Sequence, residues 1–195
     1  MVNWISALDT EKVRPTGKWT SSRFRYAESE CLATSQEAAA LSCIFTGSGI
    51  ALVLGDHAVP AYGTPNLGQL LISIDGESPQ TLYPHNTPNE VVLARNLSSD
   101  EHTVHIVHKT HYEQAGSRIS GFRILDPDSG DLAFTLNGED NAFLVDVRAI
   151  LNRESVEIRN ALVRNWLTGK CTLTGLPPGK GYTLSLIASG WRTRV

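Results

Sequence analysis

The chain has 195 residues, with 17 lysines and arginines against 20 aspartates and glutamates, and a formal charge of −3. That near balance argues against a nucleic-acid reader, which needs a concentrated positive field. A hydrophobic share of 41% suits one large or two small packed domains. No apolar run approaches the roughly 20 residues that cross a bilayer; Ile50-Ala-Leu-Val-Leu54 is typical.

Met1-Val-Asn-Trp-Ile5 lacks the basic start and apolar core of a secretion signal. Residues 1–16 read as a lead-in strand or two along an edge. Trp19, in Gly17-Lys-Trp-Thr20, is either a core plug or a binding platform, and a tryptophan beside a turn glycine is more often packed. Ser35-Gln-Glu-Ala-Ala-Ala-Leu41 has a helical flavour, with Ser35 as a cap. Strand signals on both sides favour a polar loop that feeds the strand Leu41–Phe45. Thr46-Gly-Ser-Gly49 is a turn, Ile50–Leu54 a buried strand, and Ala58–Leu67, with Pro60, Gly63 and Pro65, a loop. Gln69–Ile74 is a strand closed by a turn at Asp75-Gly76. Thr81–Tyr83 and Glu90–Ala94 are further strands, separated by a loop that holds His85 and Asn86.

The stretch from Glu101 to Leu125 is two strands around a polar excursion. Val104 and Ile106 alternate with Thr103, His105 and Val107, the period of two that a half-buried strand needs. His102, His105, His108 and His111 recur every third residue. On a strand that repeat splits between the two faces, so no metal site is expected from it. The plain expectation is a strand start at His102, a solvated His105, and His108 and His111 on a rim.

Many short strands punctuated by turns, with no long helix, predict an all-β chain. Asp126-Pro-Asp-Ser-Gly-Asp131 is a candidate boundary between a jelly-roll domain over 1–125 and a small Ig-like β-sandwich over 126–195. In the second unit the strands are Leu132–Leu136, Ala142–Arg148, Val156–Val163, Cys171–Thr174 and Tyr182–Ala188. About 70 residues make a small independent core, so this unit is expected to pack on a neighbour. The chain stops without a polar tail, and the expectation is the front part of a longer protein.

Gly17-Lys-Trp19, Cys43–Gly55, Leu71-Ile-Ser-Ile-Asp-Gly76, Ala94-Arg-Asn-Leu97, His102–Val107 and Gly121-Phe-Arg-Ile124 occur in an order that resembles the N-terminal jelly-roll domain of family 2 carbohydrate esterases and related accessory modules. The resemblance spans roughly residues 13–125 and implies a galactose-binding-like sandwich. It also implies an exported, secreted or periplasmic protein and an attached catalytic domain beyond the C-terminus. Those esterases place a Gly-Asp-Ser nucleophile block in a separate hydrolase domain. Here Gly55-Asp56-His57 lacks the serine, and no Gly-x-Ser-x-Gly elbow is present. No catalytic residue is carried over. Thr174–Leu184 looks like the last hairpin of Ig-like or carboxypeptidase-regulatory-like sandwiches.

Sugar binding needs flat aromatic faces and planar polar groups, with stacking worth roughly 0.5–1.5 kcal/mol beyond area burial. The candidates are Trp19, Tyr62, Tyr83, His85, Tyr112, Gln114 and Arg118, with Asn86 and Glu113 beside them. Each alone is an ordinary loop residue; grouped at one end of a sandwich they would form a shallow site for a polysaccharide or oligosaccharide. No cofactor is called for. A structural calcium would use Asp56 and Asp75 as loop ligands, although Asp75-Gly76 is more simply a turn. Cys31, Cys43 and Cys171 match no zinc spacing. They read as buried thiols or as a Cys31–Cys43 bridge with Cys171 left over. The leading function is a non-catalytic carbohydrate-binding or accessory module. A structural pair of domains that orients a hydrolase and binds no sugar, and a hydrolase whose active site is absent from this fragment or completed by it, are the alternatives.

Overall fold

A computed structural model describes residues 4–22, 30–55, 68–84, 87–109, 116–136, 147–162 and 170–188. Among these residues there are sixteen strands and no α-helix, and no helix is long and apolar enough to cross a membrane. The first eleven strands are β1 (Trp4–Ser6), β2 (Val13–Thr16), β3 (Thr20–Ser22), β4 (Cys31–Thr34), β5 (Ala40–Thr46), β6 (Ile50–Leu54), β7 (Gln69–Ile74), β8 (Gln80–Leu82), β9 (Glu90–Ala94), β10 (Glu101–Lys109) and β11 (Ser117–Ile124).

One sheet runs β3-β4-β11-β6-β9, with β1 also on β11; the facing sheet runs β2-β5-β10-β7-β8. From β4 onward most successive strands change sheet, the crossing pattern of a jelly roll. The alternating sequences dictate this packing. In β10, His102, Val104, Ile106 and His108 are buried while His105 is exposed. Leu41, Cys43 and Phe45 of the neighbouring β5, with Ile119 and Phe122 of β11 in the facing sheet, complete the core. At roughly 25 cal/mol per Å² of apolar surface removed from water, this burial is the main stabilising force.

Ser35–Leu41 forms no helix; its turn at Ala38, with φ of 62°, leads into β5 as the polar-loop reading expects. Ile74–Glu77 is a turn closed by the Glu77 N–H on the Ile74 carbonyl at 2.9 Å. Asp75 and Gly76 have φ of 52° and 78°, the left-handed pair of a type I′ turn.

The remaining strands are β12 (Gly130–Thr135), β13 (Val147–Arg153), β14 (Val156–Leu162), β15 (Lys170–Leu176) and β16 (Tyr182–Ala188). They make a two-stranded sheet, β12-β15, and a three-stranded sheet, β14-β13-β16. A separate apolar cluster of Val147, Ala149, Leu151, Cys171, Leu173 and Leu176 lies between them. The strand expected over Ala142–Arg148 overlaps β13 only at its end, because β13 continues to Arg153; residues 142–146 lie outside the described residues.

Two expectations are corrected. His108 is not on a rim: it points into the core with no exposed surface. Its parity with Val104 and Ile106 places it there, and a hydrogen bond from Nδ1 to Ser117 Oγ at 2.8 Å satisfies part of its polarity. The bridge alternative for the cysteines does not form. Cys31 lies on β4 and Cys43 on β5, in different sheets, and both are buried thiols.

Candidate functional site

Three neighbouring strands build a polar cleft on the outer side of the first sheet. In the register of β3, β4 and β11, Thr20 pairs with Ala33 and Ala33 with Arg118. Paired residues project to the same face, so a small alanine sits between a hydroxyl and a guanidinium. The cleft has a volume of about 260 Å³, and its walls add Lys18, Ser35 and Gln36.

Local hydrogen bonds hold these walls. Gln36 Oε1 accepts from the Lys18 N–H at 2.6 Å. Thr34 Oγ1 donates to the Lys18 carbonyl at 2.7 Å and accepts from the Gln36 N–H at 3.1 Å. The two cations, Lys18 and Arg118, flank the cleft, and none of its lining residues is an acid. Such a surface suits hydroxyls, carbonyls and carboxylates as ligand groups.

The sequence-predicted residues divide sharply. Arg118 is in the cleft. Trp19 lies in the chain between the cleft residues Lys18 and Thr20 but is a half-buried plug: its ring packs against the core, and its indole N–H lies 2.9 Å from the Ala40 carbonyl and 3.1 Å from that of Thr16. Tyr83 is 43% exposed and follows β8, at the opposite lateral edge of the sandwich from β3 and β4. Tyr62, His85, Tyr112 and Gln114 lie outside the described residues, as do Asn86, Glu113, Asp56 and His111. Lys18, Thr20 and Gln36 were not singled out in the sequence, because β3 has only three residues and its pairing with β4, which brings these segments together, leaves no local pattern.

A family model described as carbohydrate esterase 2 N-terminal matches residues 21–129, more than half of the chain. The chain belongs to this family. Among solved structures, it is similar to a family two carbohydrate esterase from Cellvibrio japonicus at 17% identity and a TM-score of 0.49. That likeness covers 62% of this chain and 32% of the esterase chain, so the chain spans about a third of that relative. No curated protein matches the sequence.

The part matched to the carbohydrate esterase 2 N-terminal family ends just before β12, and the junction beyond it is polar. Glu90, only 2% exposed, opens β9. Its Oε2 accepts from both the N–H and the hydroxyl of Thr174, each at 2.7 Å. Its Oε1 faces Arg159 Nη1 at 3.2 Å and Arg123 Nη2 at 3.4 Å. Arg159 also donates to the Thr174 carbonyl at 2.7 Å. Burial, with the like charge of Arg123, pushes the Arg159 guanidinium down to about 10, against the pull of Glu90. It remains charged at neutral pH. Asn89 Oδ1 accepts from the Thr172 N–H at 3.3 Å, and Arg95 pairs with Asp131 at 2.6 Å.

Two histidines make contacts elsewhere in the first sandwich. His102 Nδ1 is 2.7 Å from Asp75 Oδ2, and its Nε2 is 3.1 Å from the Ser98 carbonyl. The Nε2 also lies 3.3 Å from the Ser98 hydroxyl; the hydrogen bonds to Asp75 and to the Ser98 carbonyl raise the pKa of the ring. The Thr103 N–H and His102 lower that of Asp75. Both Asp75 oxygens are thereby engaged. His108 and Ser117 resemble a base and a nucleophile in spacing, but neither has exposed surface. Their hydrogen bond is a core contact, and a substrate has no approach to the hydroxyl.

Proposed function

We propose that the chain is a non-catalytic accessory module of a carbohydrate-ester-processing enzyme, and that its first sandwich binds polysaccharide in the cleft between β3, β4 and β11. The observation that carries this reading is the row Thr20–Ala33–Arg118, with Lys18 and Gln36 beside it. A small central side chain leaves room for a sugar edge, and fixed planar groups and cations flank it. Arg118 is thus retained from the sequence-derived set, with Tyr62, Tyr112 and Gln114 as proposed companions. The two-domain division, 1–125 and 126–195, belongs to the same proposal and is supported by the two separate apolar clusters. So do a secreted or periplasmic location and an attached catalytic domain.

The test is affinity electrophoresis of the chain through gels containing plant, algal or bacterial polysaccharides, beside Lys18→Ala/Arg118→Ala and Tyr83→Ala variants. Retardation lost in the double variant and kept in Tyr83→Ala supports the cleft. Retardation kept in the double variant places the sugar elsewhere.

The second reading is a structural spacer that binds no sugar. The buried Glu90 junction favours it, because a rigid joint orients whatever is attached. Absence of retardation on every polysaccharide selects this reading.

A further inference from the structure

The edges of the sheets differ in how they are protected. An unpaired strand edge templates pairing with another chain unless it is short, charged, kinked or covered. Among the described residues, β1, β3 and β8 have three residues each. Edge strand β2 carries Arg14 and Pro15. β12 carries Asp131 and a register shift between Gly130 and Leu132. β14 carries Glu157 and Arg159. β15 is capped at Thr172 and Thr174 by Asn89 and Glu90, which also sets it against β9.

Among the described residues, β16 has none of these devices. It reads Tyr182-Thr-Leu-Ser-Leu-Ile-Ala188, seven residues without charge, proline or glycine. Among the described residues it pairs only with β13, in an unbroken register from Val147↔Ala188 to Arg153↔Tyr182. Leu186 and Ile187 are 45% and 51% exposed. This composition and exposure mark a strand that accepts a partner strand.

We propose that β16 is a homodimer interface, where the β16 strands of two copies pair antiparallel about a two-fold axis at Ser185. The sequence is self-complementary in that register. Directly opposed residues must share a face, and a two-fold axis at Ser185 sets Leu184 opposite Leu186 of the second copy and Thr183 opposite Ile187. Tyr182 and Leu184 already pack on the core side; Leu186 continues that side, and the second copy's Leu184 covers it. Ile187 gains a β-branched neighbour on the outer side. No charge opposes a like charge. The two three-stranded sheets become one continuous sheet with β16 at its centre. Joined through one strand, the pair is small and transient rather than obligate.

Cysteine cross-linking of the full chain tests the register. Ser185 is exposed, so Ser185→Cys leaves the fold intact. Cα atoms opposed at the axis are about 4.5–5.5 Å apart, within disulfide reach. Thr183→Cys is the control, since its two copies are about 13 Å apart. With copper phenanthroline as oxidant, Ser185→Cys is expected to form covalent dimer at least ten times faster than Thr183→Cys, while the buried native thiols give none. Sedimentation velocity of the wild type should show apparent mass rising toward twice the monomer with concentration. Ser185→Glu, which opposes two carboxylates at the axis, should stay monomeric with an unchanged circular dichroism spectrum. Equal cross-linking rates for the two cysteine variants, or a dimer that survives Ser185→Glu, would overturn the proposal.

Discussion

Glu90 accepts two hydrogen bonds from a single residue, Thr174, one from its main chain and one from its hydroxyl, both at 2.7 Å. With Asn89 on Thr172, side chains at the head of one strand do for β15 what a neighbouring strand would do. The first prediction concerns this joint. Glu90→Ala leaves Arg123 and Arg159 without their shared carboxylate, and breaking a buried pair from one side costs about 3–5 kcal/mol. A urea melt followed by intrinsic fluorescence should show a midpoint lowered accordingly. A loss below about 1 kcal/mol would mean that the arginines find water or other partners.

The second prediction concerns pH. The raised pKa of His102 favours folding while the ring is charged. Its contribution is complete below the unfolded value of about 6.5 and is lost as pH rises through the folded value. Asp75, with a lowered pKa, contributes fully above about 3.9 and loses that contribution as pH falls through its folded value. The pair therefore supports the fold most between these two unfolded values. Urea midpoints of wild type and His102→Gln should differ most near pH 5.5 and converge by pH 9. A difference independent of pH would count against a charged ring.

A third prediction follows from the close passage of β1 over β11. A Cβ at Gly121 would stand 2.3 Å from the Ile5 carbonyl oxygen and 2.7 Å from the Trp4 ring. Backbone cannot yield as a flexible side chain does, so Gly121→Ala should cost about 1–3 kcal/mol and displace β1. Thermal denaturation measures the cost, and increased amide exchange at Ile5 would locate it.

Cys43 supplies the fourth. Desolvation pushes its thiol up to about 12, with Asp9 adding to the rise and Lys12 opposing it. The thiolate is the reactive form, so native protein at pH 8 should leave Cys43 unlabelled by Ellman's reagent, and denaturant should release it. Labelling of Cys43 at the same rate with and without denaturant would show that the core opens readily there.

The fold was legible where the pattern is local. Alternation in Thr103–Val107 predicts that Val104 and Ile106 are buried and His105 is exposed, and the turn at Asp75-Gly76 is readable from the residue pair alone. The fate of His108 was not, because a histidine is ordinarily too polar for full burial; only the packing of one sheet on the other brings its partner Ser117 within reach. The same holds for Glu90. In sequence it is a charge opening the apolar run Val91-Val-Leu-Ala94, and its partners lie 33 to 84 positions away. For the cleft, Arg118 was within reach of a reading based on planar polar groups. Lys18 and Gln36 reach it only through the pairing of β3 and β4, which three residues of alternation do not disclose.

The Glu90 joint also bears on how such proteins are cut and recombined. The part recognisable as carbohydrate esterase 2 N-terminal stops at residue 129, yet Arg159 and Thr174, which satisfy Glu90, lie beyond it. A fragment trimmed at that limit would leave Glu90 with Arg123 as its remaining cation on one piece and a naked strand edge on the other. The two halves share a recognition that neither carries alone, so grafting the first onto a foreign partner requires transplanting the donor residues of the second, Arg159 and Thr174, as well.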